Sequence, residues 1–165
     1  EQINVYIRTT ETPRKIQTVA LQEIFDTVRA EFAGQLDYRH IRWLQPKTLP
    51  HIRGDRISIL RVLRNLVDNA LKHGGDELTE IRLGYEVSDE YHTLSVSDDG
   101  VAIKGEDSEK IFRPFQRQEA SAGVEGSGLG LAIVKEIAEQ HGGTVFVTSG
   151  PEKGANFYVS ISKSL

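Results

Sequence analysis

A chain of 165 residues, 38% hydrophobic and 27% charged, has the ordinary composition of a soluble domain with one core of its own. A net charge of −4 leaves no broad basic surface for nucleic acid, and the absence of cysteine removes disulfides, Cys-bound zinc and thiol chemistry. No apolar run approaches the roughly 20 residues of a membrane span and no signal peptide is visible. The segment is therefore expected to be cytoplasmic, in keeping with a reducing compartment, with no direct membrane contact. Met is absent and Glu stands first. The chain is read as a piece of a longer protein, and whether that parent is membrane-anchored stays open.

Residues 3–8 alternate and read as a strand or as the tail of a preceding helix, broken by Thr12-Pro13. Residues 14–21 read as a strand leading into a helix over about 22–33, with Ile24, Phe25, Val28 and Phe32 on its apolar face and Gly34 as its stop. Residues 38–44 alternate as a strand, and Pro46 and Pro50 close the connection. Asp55 is expected to cap a second helix that runs to Gly74-Gly75. Residues 81–87 and 91–97 form a hairpin around Ser88-Asp89-Glu90. A long stretch, 98–126, carries Gly and charge with only short apolar pieces, as lids and binding loops do. A third helix over 131–141 buries Ile133, Val134, Ile137 and Ala138 and stops at Gly142-Gly143. Residues 144–148 and 156–161 close the chain as a second hairpin. Because the strands come in adjacent pairs, the pattern argues for an α+β two-layer α/β sandwich. It would have a mixed, mostly antiparallel sheet of about five strands, covered on one face by about three helices.

Three stretches carry chemistry. In the second helix Leu60, Leu63, Val67, Ala70 and Leu71 share one face, while Asn65, Asn69, Lys72 and His73 gather on the other. The row is either a solvated face that happens to hold two Asn, which are poor helix formers there, or a set of ligand groups. The Asn amide oxygens suit Mg²⁺, which takes few protein ligands beside phosphate oxygens, and Lys72 adds charge for those phosphates. Asp98-Asp99-Gly100 ends a strand; it reads as a common turn or as a carboxylate placed to accept from an exocyclic amine such as that of adenine, with Gly100 admitting the ligand. Gly126-Ser127-Gly128-Leu129-Gly130 opens a helix and reads as a flexible hinge or as a phosphate-binding turn, where converging N–H groups and the helix dipole favour the anion. It is neither the dinucleotide fingerprint nor a P-loop, since Leu131 stands where a third Gly belongs and no Gly-Lys-Ser/Thr follows.

In this order the pieces resemble the catalytic, ATP-binding domain of bacterial sensor histidine kinases, within the GHKL superfamily, over about residues 17–161. Residues 65–73 (NLVDNALKH) match the N box, 98–103 (DDGVAI) the first glycine box and 111–115 (IFRPF) the phenylalanine box. Residues 126–131 (GSGLGL) match the second glycine box, and Gly154-Ala155-Asn156-Phe157 the last. Residues 1–165 would then be one catalytic domain, with 1–13 a connector from an upstream phosphoacceptor domain.

The resemblance implies ATP and Mg²⁺ as cofactors. It makes Asn69 the metal ligand, gives Asn65 and Lys72 catalytic duties on metal and phosphates, and lines the nucleotide with His73. Asp98 would bind the adenine amine beside Gly100, Ala102 and Ile103. Residues 104–125 would be the ATP lid. Gly126, Ser127, Gly128, Leu129, Gly130 and Leu131 would meet the phosphates. Phe112 and Phe115 read as lid anchors facing the phosphoacceptor helix or as ordinary core aromatics. Ala102 stands where a second Gly is usual, and Asp99 where Asn is usual. Superfamily members that activate water, such as Hsp90, gyrase B and MutL relatives, commonly carry Glu four residues before the metal-binding Asn. Asn65 cannot take a proton, which favours a histidine kinase. None of His40, His51, His73, His92 or His141 sits in the family's acceptor context. The implied activity is transfer of the ATP γ-phosphate to a histidine on a dimerisation domain of the same parent chain, then to a response-regulator receiver domain. A self-contained ATPase and a degenerate nucleotide-binding module stay open.

Overall fold

The computed structural model describes residues 15–101, 130–149 and 154–165. The elements run β1 (Ile16–Ala20), α1 (Leu21–Tyr38), β2 (Arg42–Leu44), β3 (His51–Asp55) and α2 (Arg56–His73). They continue with β4 (Glu80–Val87), β5 (Tyr91–Asp98), α3 (Gly130–Gln140), β6 (Val145–Ser149) and β7 (Ala155–Ser162). Strands β2-β4-β5-β7-β6 form a five-stranded sheet, antiparallel except for the β2/β4 pair. The expected two-layer architecture is present, with the three helices of the described residues on one face. The strand over 3–8, the proposed connector, the lid, Ala102, Ile103, Phe112, Phe115, Gly126, Ser127, Gly128 and Leu129 lie outside the described residues.

Period-2 patterning decides what each strand gives the core. In β4, β5 and β7 the buried Ile81, Leu83, Leu94, Val96, Phe157, Val159 and Ile161 share the side that meets the helices. Asp98 pairs with Ile81 and Ala155, so the register places it on that same side. Helix α2 is central and touches α1, α3 and β5. Its buried set is therefore wider than one stripe. Ser58, Ile59, Val62 and Leu66 are buried with the expected Leu63, Val67, Ala70 and Leu71, while Leu60 is only half-buried.

Two boundaries and one strand differ from the sequence reading. Helix α1 runs through Gly34, because Leu36 continues the buried series Phe25, Val28, Phe32 and outweighs the roughly 1 kcal/mol cost of an interior glycine. It stops in a Schellman motif instead: His40 sits at φ +56°, its N–H donates to Asp37 O (3.2 Å), and Ile41 N–H donates to Leu36 O (2.9 Å). The strand expected over 38–44 shrinks accordingly to β2. Strand β3 was not anticipated; it pairs antiparallel with β1 in a separate ribbon, Ile16 opposite Asp55 and Ala20 opposite His51. Its interrupted pattern, with Gly54 inside and two Pro before it, hid it from periodicity.

Both ends of α2 are tied. The Asp55 carboxylate accepts from Ser58 N–H (3.4 Å) and from Lys15 N–H (3.1 Å), the expected cap. At the other end the Arg39 guanidinium, from the turn after α1, donates to Leu71 O (2.6 Å) and Gly75 O (3.2 Å). That closes carbonyls a helix leaves unmatched.

Candidate active site

Three elements converge around the C-terminal half of α2. The row Asn65, Asn69, Lys72, His73 lies there, with both Asn and His73 half-buried and Lys72 exposed. Asn65 Nδ2 donates to the carbonyl of Gly130, the first residue of α3, at 3.4 Å. The amide row of α2 and the N-terminus of α3 are thus neighbours. The third element is the chain leaving β5. Val101 N–H donates to Gly74 O just past α2 (2.9 Å), and Gly154 N–H donates to Gly100 O (2.7 Å), so residues 98–101 are held between the end of α2 and the start of β7.

Gly100 has a definite structural reason. A Cβ there would lie 2.2 Å from Gly74 O. The space a side chain would take is filled by α2's closing turn, which the reading of Gly100 as room for a ligand did not foresee.

Two adjacent carboxylates are treated oppositely. Burial pushes the Asp98 carboxyl up to about 6; the Gly100 N–H on its Oδ1 (2.8 Å) pulls the other way, and the neighbouring Asp99 charge adds to the rise. Asp98 is still largely ionised at neutral pH, desolvated, and on the helix side of the sheet. For Asp99, burial also acts upward, but the Thr79 hydroxyl and the amides of Thr79 (2.9 Å) and Glu80 (3.0 Å) outweigh it and hold the carboxyl below the usual range. Asp99 is spent on joining the chain after β5 to the start of β4. It was expected to add a charge near the site.

Lys72 Nζ lies 2.9 Å from Asp68 Oδ2, one turn back on the same exposed face. Among the described residues no group of three or more His, Cys, Asp or Glu could hold a metal ion. The Asn69 side chain makes no hydrogen bond among the described residues. Of the expected site residues, Asn65, Asn69, Lys72, His73, Asp98, Gly100, Gly130 and Leu131 are described. The structure brings Asn65 to Gly130 and anchors the Asp98–Gly100 turn against the end of α2. Sequence reasoning missed Arg39 and Thr79, which hold that end of the site in place. Both act across distant pairs and leave no local signal.

A family model described as "Histidine kinase-, DNA gyrase B-, and HSP90-like ATPase" matches residues 54–165. The phytochrome-like protein Cph1 of Synechocystis sp. is 30% identical over 86% of the chain, which spans 19% of that relative's length. The solved catalytic domain of histidine kinase ThkA superposes with a TM-score of 0.77 at 29% identity, covering 90% of this chain and 98% of that one. ThkA in complex with the response regulator protein TrrA gives a TM-score of 0.74 at 28% identity, covering 90% of this chain and 42% of ThkA. Among the described residues no helix is long and apolar enough to cross a membrane.

Proposed function

This chain belongs to the histidine kinase-, DNA gyrase B- and HSP90-like ATPase family, as a catalytic domain of the histidine-kinase type, and from that premise we propose that it binds Mg-ATP and presents the γ-phosphate to a histidine on another domain of a longer parent protein. The observation that carries the reading is the Asn65–Gly130 contact, which sets α2's amide row beside the positive end of a helix dipole. The donor set fits the ligand. Amide oxygens suit a hard cation that keeps waters and phosphate oxygens, and a mostly ionised, desolvated Asp98 suits an exocyclic amine.

In this proposal Asn69 holds the metal, Asn65 supports metal and phosphates, and Lys72 turns from Asp68 toward phosphate. His73, Leu131 and Gly130 line the nucleotide and Asp98 fixes its base. Gly126, Ser127, Gly128 and Leu129 would complete the phosphate loop, and Ala102 and Ile103 the base pocket, with 104–125 as the lid. Bound Mg²⁺ supplies charge neutralisation between phosphate oxygens. The chain's own part is positioning and charge stabilisation. No carboxylate stands at position 65 to activate water, which sets the reading apart from a self-contained ATPase. The nucleophile would be an imidazole on a dimerisation domain. A response-regulator receiver domain would accept the phosphoryl group next, a reading supported by the complex of the similar histidine kinase ThkA with the response regulator protein TrrA, and the segment would work in the cytoplasm.

The test is a titration of the 165-residue chain with a non-hydrolysable ATP analogue, with and without Mg²⁺, followed by incubation with radiolabelled ATP. Mg-dependent binding, with stable label on histidine only after a histidine-bearing dimerisation domain is added, supports the proposal. Label on a histidine of this chain alone, or no binding, overturns it.

A further inference from the structure

His141 is fully buried at the end of α3 and has no part in the chemistry above. Its Nε2 faces the backbone N–H of Asp55 at 3.1 Å and its Nδ1 faces the Ile137 carbonyl at 2.8 Å. A ring nitrogen facing an N–H must offer a lone pair, and one facing a carbonyl must carry the proton. The imidazole is therefore neutral, in the Nδ1–H form. Gly54 packs beside it: a Cβ there would make ordinary contact with His141 Cδ2 at 3.6 Å but would crowd Ile59 Cδ1 at 2.7 Å.

We propose that His141 is a positioning residue that sets the register of α3 against α2 and so fixes where Gly130 meets Asn65. The two helices run antiparallel and are bonded at two points, His141 to Asp55 at one end and Gly130 to Asn65 at the other. Ten residues separate Asp55 from Asn65 and eleven separate Gly130 from His141, spans of about 15 and 17 Å at helical rise. The spans match, so both contacts form together in one register. Between them lie Ile59, Val62, Ile137 and Ala138, which line an apolar recess around the imidazole. Apolar packing is non-directional and tolerates small slides; a hydrogen bond to a fixed backbone N–H does not. His141 is a directional element at its end of the pair.

The inference rests on the proposed nucleotide site only for its consequence; the register itself is tested without nucleotide. Compare His141→Leu, which removes the acceptor, with His141→Gln, whose amide oxygen reaches the Nε2 position, in the 165-residue chain at a temperature where each is folded by circular dichroism. In nucleotide-free protein we expect the Asn65 side-chain amide resonance to shift in the Leu variant and to return toward the native position in the Gln variant. Affinity for the ATP analogue should fall about tenfold in the first and recover most of that loss in the second. A folded Leu variant with an unmoved Asn65 resonance overturns the positioning role, whatever the nucleotide does. A shifted Asn65 resonance supports it even if wild-type protein binds no nucleotide, a result that would instead remove the ATP reading. If the Leu variant does not fold, two readouts decide. One is the ¹⁵N imidazole spectrum of the wild type, where a protonated Nε2 overturns the proposal. The other is the Gln variant, where a native-like Asn65 resonance supports the proposal and a shifted one overturns it.

Discussion

The two ends of the α2–α3 pair use polar groups in opposite ways. At the Asp55 end the groups are matched. The carboxylate caps α2 and holds Lys15, the Asp55 N–H donates to His141, and His141 donates back into its own helix. At the Asn65 end they are held loosely or at a cost. The Asn65–Gly130 contact is 3.4 Å long, Asn69 makes no hydrogen bond among the described residues, and Asp98 is ionised against its burial. Matched polarity stabilises a fold; unmatched, desolvated polarity costs free energy until a ligand answers it. The asymmetry falls where the proposed site lies.

The largest expected effect breaks the Asn65 end outright. Asn69→Ala should weaken Mg-dependent binding of an ATP analogue about a hundredfold, roughly 2.7 kcal/mol, with far less effect when Mg²⁺ is chelated. Lys163→Ala, on the exposed C-terminal stretch, should bind as the wild type does. Calorimetric titration of both checks this, and equal affinities would remove Asn69 as the metal ligand.

The adjacent carboxylates sharpen the comparison on stability. Burial pushes the Asp98 carboxyl up to about 6 in the fold, from an ordinary 3.8. Between those values the folded state binds more protons than the unfolded state, so its contribution to stability is largest below about 4 and is lost as pH rises through about 6. Asp98→Asn keeps an oxygen for the Gly100 N–H and sheds the charge. It should stabilise the nucleotide-free protein at pH 7 by about 2 kcal/mol, a Tm rise of about 4–8 °C, while weakening nucleotide binding. The gain should vanish at pH 4. Asp99 runs the other way: its lowered carboxyl contributes stability above the unfolded value, lost as pH falls through the folded one. Asp99→Ala leaves the Thr79 and Glu80 amides without their acceptor and should cost about 1–2 kcal/mol at pH 7. Thermal melts at the two pH values decide both signs.

How much of this was legible in the sequence follows the same division. The hairpins, the Asp55 cap and the buried side of α3 were readable because period and capping are local signals. So was the amide row of α2, because polar residues where a solvated helix face wants Glu, Lys and Arg are themselves anomalous. What was missed depends on distant partners. The end of α1 was misplaced at Gly34 because the stop is made by His40 in a left-handed conformation, a role glycine usually takes. Strand β3 exists because β1 lies opposite it. Asp99 carries the same side chain as Asp98, and only the position of Thr79 makes one structural and the other available. His141 was read as a helix-end residue. Its position is right, but its bond to Asp55 crosses 86 positions of sequence.

The smallest predicted effect lies on the far side of α2 from α3, where matched polarity meets solvent. Arg64 grips Glu31 of α1 bidentately, Nε to Oε2 at 2.8 Å and Nη2 to Oε1 at 2.7 Å. Their hydrogen bond raises the Arg64 pKa and lowers that of Glu31, each against burial. The geometry is that of a strong pair, yet side-chain exposures of 43% and 33% let water and salt screen it. A double-mutant cycle of Arg64→Ala and Glu31→Ala should therefore give a coupling of only about 0.5 kcal/mol at low ionic strength, fading at 0.5 M salt, with nucleotide affinity unchanged. Arg64 immediately precedes Asn65. A change of one residue along the helix should thus pass from no effect on binding to a large one, because it turns from the α1 side to the α3 side. If Arg64→Ala weakened nucleotide binding as much as Asn65→Ala, the division of α2 into a structural face and a binding face would fail, and the contrast between the two ends with it.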